Sequence, residues 1–126
     1  MAKKKVILDT NFLLIPGPCG ADGFTGIESL MQEQFEMCFV DKTINELNKI
    51  VATGKDKDRF AAKLAIVLAR QKSLKSLPSS KDDKSVDDII VKYADNETVI
   101  ATQDKALRIR VKAKGAEVIG LRQKKY

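Results

Sequence analysis

Apolar residues along this chain come in two patterns that take turns. Short solid runs are VIL at Val6 to Leu8, MCFV at Met37 to Val40, TVIA at Thr98 to Ala101 and AEVIGLR at 116–122, with a lesser one at Leu74 to Leu77. A continuous apolar run bounded by polar residues predicts a strand covered on both faces, as in a parallel sheet. Between the runs, apolar positions recur at helical spacing. Ile27, Leu30, Met31 and Phe35 mark one stripe, and Ile44, Leu47, Ile50 and Val51 another. A third helix is predicted over 56–72, a fourth over SVDDIIVKYAD from Ser85, and a basic fifth over KALRIRVKAKG. Strands alternating with helices predict an α/β sandwich with right-handed crossovers around a parallel sheet of about five strands.

Local signals place the ends of these elements. Asp41 or Thr43 can cap the second helix, and Glu46 lies at capping-box spacing from Thr43. Ser85 is a suitable cap, with Asp87 and Asp88 in the first turn where the helix dipole favours acids. Gly54 and Gly115 fit helix stops. Pro16, Gly17, Pro18, Gly20, Gly23 and Gly26 make an irregular loop after the first strand, and Pro78 to Lys84 is a polar one. Phe35, Phe39 and Phe60 are expected in the core.

The 126 residues predict one domain. No apolar run approaches the roughly 20 residues of a membrane-spanning helix, and the run after Lys3 to Lys5 is too short for a signal peptide. The expectation is a soluble, cytoplasmic protein that does not engage a membrane. Cys19 and Cys38 make neither a metal motif nor a disulfide framework. Histidine is absent, so catalysis has to run on carboxylates, a metal ion or lysine. The net charge of +6 favours a polyanionic partner, nucleic acid being the usual one.

Four acids stand where they can meet. Asp9 and Asp104 follow two apolar strands, and Glu46 and Asp87 lie near the starts of two helices. In a parallel sheet, the carboxyl ends of the strands form the rim where ligands bind. Asp87 reaches that rim only if the loop before its helix returns there, and Asp88 is its rival. Each acid also has an ordinary role: Glu46 in a capping box, Asp87 beside a helix dipole, Asp104 as a cap. Their joint placement is the stronger argument. Carboxylates gathered in one pocket repel each other, and a hard divalent cation relieves that repulsion. Two such ions can clamp a phosphodiester for in-line displacement. Thr10, Asn11, Thr102 and Gln103 would hydrogen-bond waters or the phosphate.

The ordered set VILDTNFLL, TINELNKI, SVDDIIVKYA and VIATQDKALRIRVKAKGAEVIGLR resembles the PIN domain (PilT N-terminus) family and covers nearly the whole chain. The resemblance implies a three-layer α/β/α sandwich with strand order 3-2-1-4-5 in one nuclease domain over 1–126. It also implies a Mg²⁺- or Mn²⁺-dependent endoribonuclease. Asp9, Glu46, Asp87 and Asp104 are then the catalytic and metal-binding acids, supported by Asn11 and Thr102. Ala106 and Leu107 stand where the family often offers a further acid or Asn, so no fifth ligand is evident and one or two ions remain open. Size favours the VapC-type toxins of type II toxin–antitoxin pairs, which implies an antitoxin partner, and a homodimer is expected from the family. The C-terminal stretch is closer to rRNA-processing PIN proteins.

Lys105, Arg108, Arg110 and Lys112, with Arg122, Lys124 and Lys125 beyond, would hold RNA phosphates. Phe12, Phe24, Tyr93 and Tyr126 are the candidates for base stacking. A non-catalytic RNA-binding assembly factor with the same fold is the alternative. A haloacid-dehalogenase reading fails at Asn11, where that chemistry wants a second Asp. A receiver reading fits poorly with Lys105 directly after an acid. A dinucleotide-binding reading lacks G-x-G-x-x-G after the first strand.

Overall fold

A computed structural model describes residues 4–14, 31 and 34–120. The expected helix over 27–36 and the C-terminal basic residues lie largely or wholly outside them. Strand β1 spans Lys4–Leu8 and is followed at once by a short helix, α1, Thr10–Leu13. Then come β2 (Phe35–Val40), α2 (Asp41–Thr53), α3 (Asp56–Gln71), β3 (Lys75–Leu77), α4 (Val86–Tyr93), β4 (Thr98–Ala101), α5 (Lys105–Ala113) and β5 (Glu117–Ile119). The sheet runs β3-β2-β1-β4-β5, and every pairing is parallel. Ile7 aligns with Cys38 on one side and Ile100 on the other.

Strand alternation divides the core into two layers. Ile7, Cys38, Val40 and Ile100 face α4 and α5, where they meet Ile89, Ile90, Leu107 and Val111. Val6, Leu8, Val99 and Ala101 face the other way, onto Phe12, Leu47, Ala62 and Ala65 of α1 to α3. The first three strands step outward from the centre with α2 and α3 on one face. The chain then returns to β4 on the other side of β1, carrying α4 and α5 on the opposite face. The direction of winding reverses between β1 and β4, and such a switch point opens a crevice at the strand carboxyl ends.

Three local expectations change. Helix α2 begins one turn earlier than a Thr43 cap requires. Its flanking residue is Val40, with no side-chain cap, and Asp41 instead accepts from the Ser79 N–H at 3.1 Å, tying α2 to the segment after β3. Phe60 is 68% exposed rather than core. Helix α3 buries a stripe of Ala62, Ala65 and Ala69, and Phe60 lies off that stripe. Phe12 is buried under the sheet, out of reach of any base. Gly115 does end the basic helix, at φ +91°, a conformation that suits glycine.

Candidate active site

Asp9 sits immediately past β1, at the switch point. Its N–H donates to the Ala101 carbonyl at 3.0 Å, which locks the end of β1 to the end of β4. The residue is only 3% exposed. Its Oδ2 accepts from Thr102 Oγ1 at 2.8 Å. Burial pushes the Asp9 carboxyl up to about 6, against the pull of that Thr102 bond, and the charges of Asp87 and Asp104 add to the rise.

Asp104 lies across the crevice at the head of α5. Its Oδ1 accepts from the Leu107 N–H at 3.1 Å, so it is the helix cap as well as a member of the rim. Its own N–H donates to Thr102 Oγ1 at 3.1 Å. Thr102, wholly buried, therefore joins the two acids through one hydroxyl.

Asp87 enters from α4. Its carboxyl is raised by burial first and then by Asp104, with Glu46 and Asp88 adding and Arg110 opposing. Asp88 belongs to a different arrangement: Arg110 Nη2 donates to its Oδ1 at 3.0 Å, and that bond holds its carboxyl below the usual range. Asp88 is thus engaged by Arg110, while the Asp87 carboxyl feels the charge of Asp104 and Glu46. The condition on the preceding loop is met by a set of anchors. Asp83 accepts from the Ser80 N–H at 2.8 Å and from Lys92. Lys42 donates to the Asp83 carbonyl, and the Tyr93 hydroxyl donates to that of Pro78. These bonds carry the chain from the end of β3 across the rim to Ser85, which caps α4 by accepting from the Asp88 N–H.

Glu46 projects from the second turn of α2. It does not close a capping box. Its Oε1 accepts instead from Thr10 Oγ1 at 2.7 Å, and Thr10 is also hydrogen-bonded to the buried Thr43 hydroxyl at 3.1 Å. The spacing of Thr43 and Glu46 reflects a shared helix face turned toward α1. Thr10 was expected to serve waters or phosphate, and its hold on Glu46 was not legible. The only sequence signal for it is its place beside Asp9. Asn11, expected as a supporting residue, is exposed at the rim.

The basic residues divide by what they touch. Lys105 and Lys112 are exposed on α5. Arg110 is shared with Asp88. Arg108 turns back along its helix: its Nε and Nη2 donate to the Thr102 carbonyl at 3.3 and 3.2 Å. Tyr93 is half-buried, and Phe24 and Tyr126 fall outside the described residues.

The rim thus offers carboxylates from four separate elements, together with hydroxyls. No histidine exists in the chain, and Cys38 is buried in the layer under α4 and α5. An all-oxygen donor set with self-repelling charge suits a hard cation in kind. Among the described residues, no three acids converge tightly enough to chelate one ion by themselves. That arrangement is compatible with Mg²⁺, which takes one or two carboxylates directly and keeps waters.

Comparison with known proteins places the chain in a family. It belongs to the PIN-like domain family, whose model matches residues 6–124. Ribonuclease VapC4 of Methanocaldococcus jannaschii is 32% identical over 126 residues, spanning 97% of this chain and 93% of that protein. Among solved structures, the PIN domain endonuclease Utp24 superposes with a TM-score of 0.72 at 24% identity, covering 94% of this chain and 86% of that one. A domain of a functionally unknown M. jannaschii protein does so at 0.65 and 18%, covering 98% and 94%. At these identities the two structures speak to the fold alone. Among the described residues, no helix is long and apolar enough to cross a membrane.

Proposed function

We propose that residues 1–126 form one nuclease domain, a metal-dependent endoribonuclease that hydrolyses RNA phosphodiester bonds at the rim built by Asp9, Glu46, Asp87 and Asp104. The observation that carries this reading is the burial of the Asp9 carboxylate at the switch point, where the Thr102 hydroxyl links it to Asp104. A catalytic site tolerates such a cost where a bound ion repays it. Family membership and the resemblance to a named ribonuclease support the reaction class.

In this reading Asp9 and Asp104 hold Mg²⁺ or Mn²⁺, with Asp87 and Glu46 completing the ligand set directly or through water. The bound ion supplies positive charge to the phosphoryl group and acidifies water. The chain's own groups do the rest. Thr102 fixes the rotamer of Asp9, and Thr10 fixes that of Glu46. Asn11 reaches solvent where a phosphate or water would lie. Lys105 and Lys112 draw the RNA backbone in by charge.

The small size, like that of the VapC relative, fits the toxin of a toxin–antitoxin pair working in the cytoplasm as a homodimer, with an antitoxin protein as partner. The second reading is a non-catalytic or rRNA-processing assembly factor with the same fold. Labelled single-stranded RNA incubated with purified protein in Mg²⁺, Mn²⁺ or EDTA separates the two. Cutting that needs metal supports the nuclease. Tight, salt-dependent binding with no cutting in either metal supports the assembly factor.

A further inference from the structure

Thr102 has every polar group engaged. Its N–H donates to the Ile119 carbonyl at 3.0 Å, its hydroxyl bridges Asp9 and the Asp104 N–H, and its carbonyl takes two bonds from Arg108. The guanidinium also donates to Gln103 Oε1 at 3.3 Å. Arg108 can lie there because residue 120 is glycine. A Cβ at Gly120 would fall 2.0 Å from Arg108 Nη2 and 2.7 Å from Gln103 Oε1. Those distances are far inside contact, so any side chain there displaces the guanidinium.

We infer that Arg108 is a positioning residue of the acidic rim, seated in a notch made by Gly120, and that it clamps Thr102 so that one hydroxyl sets Asp9 against Asp104. Resting on the nuclease reading, this gives the first arginine of α5 a different task from the lysines near it. Lys105 and Lys112 meet the substrate, whereas Arg108 acts through Thr102 on the two acids. The planar fork matters, because one guanidinium serves a carbonyl and a side-chain amide together, and lysine cannot reproduce that.

The test compares Arg108→Lys, Arg108→Gln and Gly120→Ala with wild type. Three quantities are read: amide hydrogen exchange at Thr102 and Asp104, Mn²⁺ affinity by titration, and kcat and KM on single-stranded RNA. The clamp predicts faster exchange at both amides in all three variants. It also predicts that Mn²⁺ affinity and kcat fall about 10- to 100-fold, the usual cost of removing such support, while KM changes by less than about twofold. Gly120→Ala is the telling case, since it leaves every charge in place. If Arg108→Lys behaves as wild type, Gly120→Ala is silent and Arg108→Gln acts on KM alone, Arg108 is a phosphate contact and the clamp is overturned. If wild type neither binds Mn²⁺ nor cuts RNA, the nuclease reading falls. The exchange rates still decide the clamp in that event, because unchanged protection at Thr102 and Asp104 overturns it without reference to activity.

Discussion

Replacing Asp9 by Asn should make the metal-free protein more stable at neutral pH. The rise of its carboxyl from 3.8 to about 6 corresponds to about 3 kcal/mol, at 1.36 kcal/mol per pH unit. The sign follows from which state holds the proton. Below pH 3.8 the carboxyl is neutral in both the folded and the unfolded chain, so it costs nothing. Between 3.8 and about 6 the unfolded chain gives up the proton while the folded one keeps it, and stability falls as pH rises. Above about 6 the full cost is present. Asn keeps the shape, and its Oδ1 can still accept from Thr102, so the variant escapes the cost without losing that bond. Urea melts in EDTA should therefore show Asp9→Asn gaining about 2–3 kcal/mol on wild type at pH 7.5 and almost nothing at pH 3.5. In thermal melts that is roughly 3–5 °C per kcal/mol for a domain of this size. Saturating Mg²⁺ should stabilise wild type, by about 2.7 kcal/mol at one hundred times its Kd, and leave Asp9→Asn nearly unmoved. Parallel stability–pH curves for the two proteins in EDTA would refute the reasoning, because Asp9 would then carry no buried charge.

Other substitutions follow from the same geometry. Thr10→Val removes the donor to Glu46 and strands the buried Thr43 hydroxyl. It should cost about 1–3 kcal/mol in a urea melt and lower kcat more than it raises KM. Asp104→Asn should abolish cleavage while shifting stability by less than about 1 kcal/mol, since Asn caps as well as Asp; Asp104→Ala should lose about 1 kcal/mol more. Ser85→Ala should cost about 1 kcal/mol through the lost cap on α4. Phe60→Ser, on an exposed face of α3, should stay within about 0.5 kcal/mol of wild type by urea melt.

The strands could be read from the sequence because a sheet covered on both faces leaves solid apolar runs, two of which lead into Asp9 and Asp104; their order followed only from the resemblance to the PIN domain family. The region around Asp87 was legible only conditionally. Whether α4 starts at the rim depends on anchors such as Asp83 with Lys92, and Asp41 with Ser79, which are far apart in sequence. Thr43 and Glu46 show how one spacing serves two purposes. Residues three apart share a helix face, whether they cap each other or both turn toward Thr10. Arg108 shows the limit of reading charge. Its sequence context is a basic helix, and only the tertiary return of β5 and Gly120 reveals that it faces a carbonyl. Phe60 was placed by hydrophobicity, but the α3 core stripe is built from alanines, which let the helix approach its neighbour closely.

The most direct test is single-turnover cleavage of labelled single-stranded RNA across a Mg²⁺ titration, using wild type, Asp9→Asn, Glu46→Gln, Asp87→Asn and Asp104→Asn. A single centre built from four carboxylates predicts cutting by wild type that rises with Mg²⁺ and stops in EDTA. It also predicts that each variant loses at least about 100-fold, equal to 2.7 kcal/mol of transition-state stabilisation. Wild-type rates from any of the four variants, or cleavage that persists in EDTA, would contradict it.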